Sequence, residues 1–173
     1  MSDQAANWPT AEAMDRVHGA LEGSGLAYEI MDCDPELADT AVFCERYNVP
    51  LTHSANAIVV RSKTGEEKFA ACLVLATCRL DVNHTVRKKL GARKVSFATP
   101  EETRDLTGME IGGVTPLGLP ADLPLWVDAR IMALDYVILG GGGRDTKIRV
   151  DPQIFTQTPS TEVVEALARE IEG

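Results

Sequence analysis

Two unbroken apolar runs, Ala57–Val60 and Phe69–Ala76, constrain the fold of this chain more than any other feature. They flank Ser62-Lys63-Thr64-Gly65-Glu66, whose Thr-Gly pair between β-branched runs signals a hairpin. A strand with one wet face alternates apolar and polar residues. These two do not, so they are predicted to lie at the centre of a sheet covered on both faces.

The flanking segments supply helices and further strands. Met14, Val17 and Leu21, with Ala13 and Ala20 beside them, predict an amphipathic helix ended by Gly23 and Gly25. A strand is expected over Leu26–Met31 and a second helix over Leu37–Tyr47, burying Ala38, Ala41 and Val42. Val82, Val86 and Leu90 mark a short helix closed by Gly91, with Arg87, Lys88 and Lys89 in its last turn, where the helix dipole favours cations. After a short strand over Lys94–Ala98, Thr99-Pro100-Glu101-Glu102 has the form of a capped helix start, with Gly108 as the stop. Strands are predicted over Leu125–Val127, Tyr136–Leu139 and Lys147–Val150. Thr158-Pro159 is expected to open a terminal helix with the stripe Val163, Val164, Leu167 and Ile171. Helices interleaved with hairpin-connected strands predict an α/β (α+β) fold with a mixed sheet, not a doubly wound parallel one. At 173 residues and 45% apolar content, a single domain over 1–173 with its core at about 10–172 is expected.

No apolar run approaches the ~20 residues needed to span a bilayer. Met1-Ser2-Asp3-Gln4 lacks the basic start of a signal peptide. Both point to a cytoplasmic protein. Cys33, Cys44, Cys72 and Cys78 form no CxxC pair and have no closely spaced His, so no metal and no cofactor is predicted. Cys72 and Cys78 are expected to be buried as small hydrophobes. The net charge of −9 excludes indiscriminate nucleic-acid binding. Its distribution is uneven: Arg61–Lys94 holds nine basic residues against three acids, a balance of +6 that leaves −15 elsewhere. A solvated helix face and a local hold on a phosphate backbone both fit this stretch.

Gly112-Gly113-Val114-Thr115-Pro116-Leu117-Gly118-Leu119-Pro120 cannot form a regular helix or a central strand. It is too apolar for a loose linker and reads as the stiff floor of a pocket. Gly140–Gly143, followed by Arg144-Asp145-Thr146-Lys147, lacks the spacing of a phosphate loop. It can form an anion-binding nest or simply a wide turn between strands. There is no GxSxG, HExxH or Walker A pattern. Of His18, His53 and His84, only His53, just before the central strand, is placed to face a pocket.

Taken in order, several blocks carry a resemblance: Glu36-Leu37-Ala38-Asp39-Thr40-Ala41, Ser54-Ala55-Asn56-Ala57-Ile58-Val59-Val60, Arg79-Leu80-Asp81-Val82-Asn83 and Leu90-Gly91-Ala92-Arg93-Lys94. They continue with Thr107-Gly108-Met109-Glu110-Ile111-Gly112-Gly113-Val114-Thr115-Pro116-Leu117-Gly118, then Trp126-Val127-Asp128 and Ile138-Leu139-Gly140-Gly141-Gly142. Over roughly residues 10–172 the chain resembles the YbaK/ProX aminoacyl-tRNA deacylases, free-standing relatives of the editing domain inserted in bacterial prolyl-tRNA synthetases.

That resemblance implies hydrolysis of the ester joining a mischarged amino acid to a tRNA 3′ end. Gly112 and Pro116 stand at the family's G-x-x-x-P positions, in the loop that lines the aminoacyl pocket. No protein nucleophile is required, because a neighbouring ribose hydroxyl and water serve while the enzyme orients the ester and stabilises the oxyanion. Asn56, Gly112 and Gly113 are the implied catalytic positions. Val114, Thr115, Pro116, His53, Asp128, Gly140, Gly141, Gly142 and Lys147 are the implied substrate-binding ones. The partners are the acceptor end of an aminoacyl-tRNA and, as a further option, a synthetase. One departure stands out: the family's lysine at the start of the central strand is Asn56 here. Asn offers hydrogen bonds but no positive charge. Lys63, Lys68 and Lys147 are the candidate replacements. The alternative function is a binding module for aminoacyl-tRNA or a synthetase complex that has lost hydrolysis.

Overall fold

The computed structural model describes residues 8–158 and 160–171. In chain order its elements are α1 (Ala11–Glu22), β1 (Tyr28–Asp32), α2 (Thr40–Tyr47), β2 (Ala55–Ser62), β3 (Phe69–Leu75), β4 (Cys78–Leu80) and α3 (Arg87–Leu90). Then follow β5 (Val95–Phe97), α4 (Pro100–Thr107), β6 (Leu125–Asp128), β7 (Val137–Gly140), β8 (Thr146–Val150), β9 (Thr161–Val164) and β10 (Ala168–Glu170).

The apolar hairpin lies at the centre, as its composition requires. β2 and β3 pair antiparallel from Ala55↔Leu75 to Arg61↔Phe69. They sit inside a five-stranded mixed sheet of order β5-β2-β3-β6-β9, in which β3–β6 and β6–β9 are parallel. From Ala70 to Leu75 every residue of β3 is buried, so the absence of alternation is the signature of two covered faces. β1, β8 and β7 form a second, antiparallel sheet, tied to the start of β2 by the bridge Ser54↔Ile138. The mixed α/β class is the predicted one. Cys72 and Cys78 are buried, and burial pushes the Cys72 thiol up to about 12. Among the described residues no helix is long and apolar enough to cross a membrane.

Local chemistry accounts for the helix ends. Thr10 caps α1 by accepting from the Ala13 N–H at 3.1 Å. Thr99 and Glu102 close a reciprocal capping box on α4, and Gly91 and Gly108 end α3 and α4.

Three segments depart from expectation. The predicted terminal helix is instead β9 and β10, with Pro159 outside the described residues. Its stripe is not a single face: Val164 and Leu167 are buried whereas Val163 and Ile171 are about half exposed. Ala166 takes a left-handed conformation that a helix cannot accommodate, while β9 completes the sheet beside β6 and β10 pairs with β4. The predicted helix over Leu37–Tyr47 is broken at Asp39, whose backbone is extended. A short 3₁₀ turn at Pro35–Leu37 precedes it and α2 follows. As a result Ala38, Phe43 and Cys44 are buried, while Ala41 and Val42 face solvent. The helix expected from Val82 to Leu90 begins as a π-type turn over Val82–Val86 before α3.

Candidate active site

The Gly112–Pro120 loop is held in place chiefly by backbone. Gly113 N–H donates to Glu110 O at 2.9 Å, Gly142 N–H to Gly113 O at 2.6 Å, and Glu110 N–H to Gly142 O at 2.9 Å. These bonds lay the loop against the β7–β8 turn. Arg16 of α1 ties down the other end, its Nε donating to Gly118 O at 2.7 Å and its Nη2 to Thr107 O at 3.0 Å. The glycines permit this closeness. A Cβ on Gly113 would collide with the Gly143 carbonyl, and one on Gly140 would strike the carbonyls of Gly113 and Val114. Gly112 has φ +91°, a conformation that L side chains rarely adopt, and lies beneath the Arg144 guanidinium, which a side chain there would have to displace.

Between this loop and the N-terminal half of β2 lies a cavity of about 400 Å³. Asn56, Gly112, Val114, Gly140 and Lys147 line it together. The remaining wall comes from Asp39 and Thr40 at the start of α2, from Phe97 and Ala98 at the end of β5, and from Pro100 and Thr103 of α4. Its size suits a small-molecule site.

The polar groups of the cavity are specifically arranged. Thr40 Oγ1 donates to Asn56 Oδ1, which leaves the Asn56 amide N–H groups as donors toward the cavity. Lys147, only 5% exposed, donates from Nζ to Ala38 O at 2.6 Å and lies 5.3 Å from the Phe43 ring centroid. Burial pushes its pKa below the ordinary lysine value, against an opposing pull from Cys33, Cys44 and Asp39. An ammonium has three N–H donors and this one spends one on Ala38, among the described residues. Nor do the N–H groups of Gly112 and Val114 donate to a protein acceptor among the described residues.

Of the three candidate replacement lysines, Lys147 shares the cavity with Asn56. Lys68 lines a separate cleft and donates to Leu90 O at 3.2 Å, and the Lys63 backbone pairs with Lys94 beyond the end of β2. The Lys147 ammonium therefore reaches the cavity from β8 rather than from β2.

The other singled-out residues lie behind or away from this wall. Gly113, Thr115 and Pro116 are buried behind it, with Thr115 N–H directed at Met109 Sδ. Gly141–Gly143 form the wide turn between β7 and β8. The nest reading does not fit, because Gly142 N–H is bound to Gly113 O and Arg144 N–H to Glu110 Oε1 at 2.9 Å. His53 stacks on Tyr136 and sits 3.3 Å from Asp135, outside the cavity. Asp128 is 1% exposed and accepts from Arg130 N–H, Arg130 Nη1 and Ala168 N–H at 2.9, 3.2 and 2.9 Å. Its carboxylate anchors β10 to β6. Asp128→Ala is accordingly expected to cost about 2–4 kcal/mol in urea unfolding, by orphaning buried donors, while leaving ligand binding in the cavity unchanged well below the melting temperature.

Sequence reasoning missed Arg144, Thr40 and Phe97. Arg144 donates to Pro35 O at 2.9 Å and Ile111 O at 3.3 Å and meets Asp39 at 3.4 Å, clamping the α2 entry onto the glycine loop. Only its position after four glycines hinted at such a role.

Comparisons with known proteins place the chain in a family. The family model for the aminoacyl-tRNA editing domain matches residues 34–157. The uncharacterized protein YwhH of Bacillus subtilis (strain 168) is 22% identical over 135 residues, covering 78% of this chain and 83% of YwhH. The proline–tRNA ligase of Trichlorobacter lovleyi is 26% identical over 141 residues, covering 82% of this chain but only 23% of the ligase. The corresponding ligase of Brachyspira hyodysenteriae is 30% identical over 88 residues, or 50% of this chain and 15% of that one. Among solved structures, a protein proposed as a trans-editing enzyme for prolyl-tRNA synthetase superposes with a TM-score of 0.73 at 26% identity, covering 92% of this chain and 98% of its own. With the family model spanning well over half of its length, the chain belongs to the aminoacyl-tRNA editing domain family.

Proposed function

We propose that the chain hydrolyses the ester of a mischarged aminoacyl-tRNA, acting on a tRNA released from its synthetase. The observation that carries this reading is the convergence, in one cavity, of the Lys147 ammonium, the Asn56 amide and the backbone of Gly112 and Val114. Family membership supports it. The ester carbonyl, held against the glycine loop, receives hydrogen bonds from backbone N–H groups, while Lys147 offsets the charge that develops on its oxygen. Asn56, oriented by Thr40, positions the aminoacyl or ribose end. Water adds to the carbonyl carbon and the ester C–O bond breaks. The ribose oxygen leaves with a proton relayed through the neighbouring hydroxyl, so no side-chain nucleophile is required.

A panel of mischarged tRNAs tests the proposal. At least one is expected to lose its amino acid faster with the protein than in buffer. If none does while at least one binds, the deacylase reading fails and the binding-module reading replaces it. Asn56→Lys gives a second check. A lysine there would place a second ammonium in the cavity and break the bond from Thr40, so kcat/KM is expected to fall about tenfold or more. A gain in activity would instead mean that Lys147 does not replace the family lysine.

A further inference from the structure

The basic stretch of the sequence folds into a cleft of about 920 Å³ next to the cavity just described. It is lined by Lys68, Arg87, Arg93 and Lys94, with Glu66 as its acid. Among the described residues none of these four cations takes part in an ion pair, whereas Arg61, Lys89, Arg130, Arg144 and Arg169 each do. In a chain with 26 acids and a net charge of −9, unneutralised cations around a concavity are a concentrated positive field in a repulsive surround. Solubility does not require them, since the acids already provide it.

β5 joins the cleft to the cavity. Lys94 lines the cleft immediately before the strand, while Phe97 and Ala98 line the cavity at its end. At ~3.3 Å per residue, Lys94 and Ala98 are roughly 13 Å apart. That is about four stacked nucleotides at ~3.4 Å each, comparable to the unpaired 3′ tail of a tRNA. Phe97 stands between the two sites on an edge strand and is 58% exposed. An exposed aromatic ring beside a cationic groove is a platform on which an unpaired base stacks.

We infer that the cleft and Phe97 form the docking surface for a single-stranded RNA 3′ tail. Arg87, Arg93 and Lys94 hold its phosphates, Phe97 stacks a base, and the terminal residue is delivered into the cavity. This inference rests on the cavity receiving a 3′-terminal ester. It adds where the RNA runs and which residues hold it. The acidic remainder of the surface repels RNA and so favours this one path.

The test uses the full chain and two fluorescent hairpin RNAs, one with an unpaired 3′ tail ending in CCA and one blunt. Arg93→Glu/Lys94→Glu is expected to weaken binding of the tailed RNA by about tenfold or more at about 100 mM salt. The slope of log K against log salt should fall by roughly 1.5, for two lost phosphate contacts. Phe97→Ala is expected to weaken the tailed RNA about tenfold and leave the blunt one unaffected. Arg46→Glu/Arg149→Glu changes the charge equally, away from the cleft. Arg46 lies on α2, and Arg149 lies on β8, in the sheet tied to the opposite end of β2. This pair should change binding by less than twofold. All replaced side chains except Phe97 are charged and exposed, and circular dichroism will verify that each variant is folded. The inference is overturned if the cleft variants weaken binding no more than the control pair, or if Phe97→Ala affects both RNAs alike. It is likewise overturned if an acidic peptide displaces the tailed RNA with equal affinity, which would make the cleft a protein-docking site. Tail-dependent binding of the hairpin without release of an amino acid from any of the mischarged tRNAs would sink the deacylase reading but not the docking surface. Release that is insensitive to the cleft variants would do the reverse.

Discussion

Lys147→Met is expected to lower the rate of deacylation by about 10²–10³-fold, as the loss of a principal oxyanion-stabilising group does. Methionine keeps most of the stem length and the packing on Phe43, and removes only the cation that donates to Ala38 O. The fall should therefore appear in kcat more than in KM, because the charge matters most when the ester oxygen becomes anionic. An unchanged rate with an intact fold would remove Lys147 from the mechanism. The same residue should leave a mark on stability. Burial holds its folded-state pKa below the unfolded value of ~10.4. Below the folded pKa the ammonium is charged in both states and the cost of burying it is fully present. Between the folded and unfolded values the unfolded chain binds more protons, so stability rises with pH across that alkaline window. Urea unfolding of the wild type should show this rise and Lys147→Met should lack it.

Gly113→Ala is expected to be the most damaging single-methyl addition in the molecule. The new Cβ would meet the backbone of Gly143, not the flexible end of a side chain, so the loop and the β7–β8 turn must separate. That separation strains the bonds joining Gly142 to Gly113 and to Glu110. Over-packing of this kind costs about 3 kcal/mol or more, which lowers Tm by roughly 6–12 °C in a chain of this size. It also moves the Gly112–Val114 wall, so the rate should fall even in the folded protein. Gly19→Ala makes the contrast. Gly19 lies within α1 with open space around it, and alanine there should stabilise by about 0.5–1 kcal/mol through helix propensity. Calorimetry on the two variants checks both signs. A Gly113→Ala protein that melts with the wild type would mean that the loop and the turn are not packed backbone to backbone.

Much of this architecture could be read locally. The covered hairpin followed from unbroken apolarity at Ala57–Val60 and Phe69–Ala76, and the α4 start followed from Thr99-Pro100-Glu101-Glu102. Each depends on neighbours in sequence. The terminal segment misled because Val163, Val164, Leu167 and Ile171 fit helical spacing as well as two short strands. The open edge of β6 and the exposed edge of β4 resolve the choice, and both lie far away in sequence. The Thr40 hydroxyl and the Phe97 ring were invisible as site members for a similar reason, and Lys147 could not be told from Lys63 and Lys68 as the replacement lysine. Phe97 and Lys147 each reach the cavity through the pairing of a strand.

Short windows of the sequence set the mixed α/β class, the central apolar hairpin, the stiff glycine-proline loop and a basic stretch in an acidic chain. These rest on periodicity, backbone freedom and charge count, which are properties of short windows. Tertiary packing was needed to bring Asn56 on β2 and Lys147 on β8 to one cavity and to leave Asp128 and His53 elsewhere. It alone set the basic cleft one short strand away from the cavity. Sites of this kind are made by sheet register and by the close approach of glycine backbones. Both are settled by packing between segments up to a hundred residues apart, where no local pattern reaches.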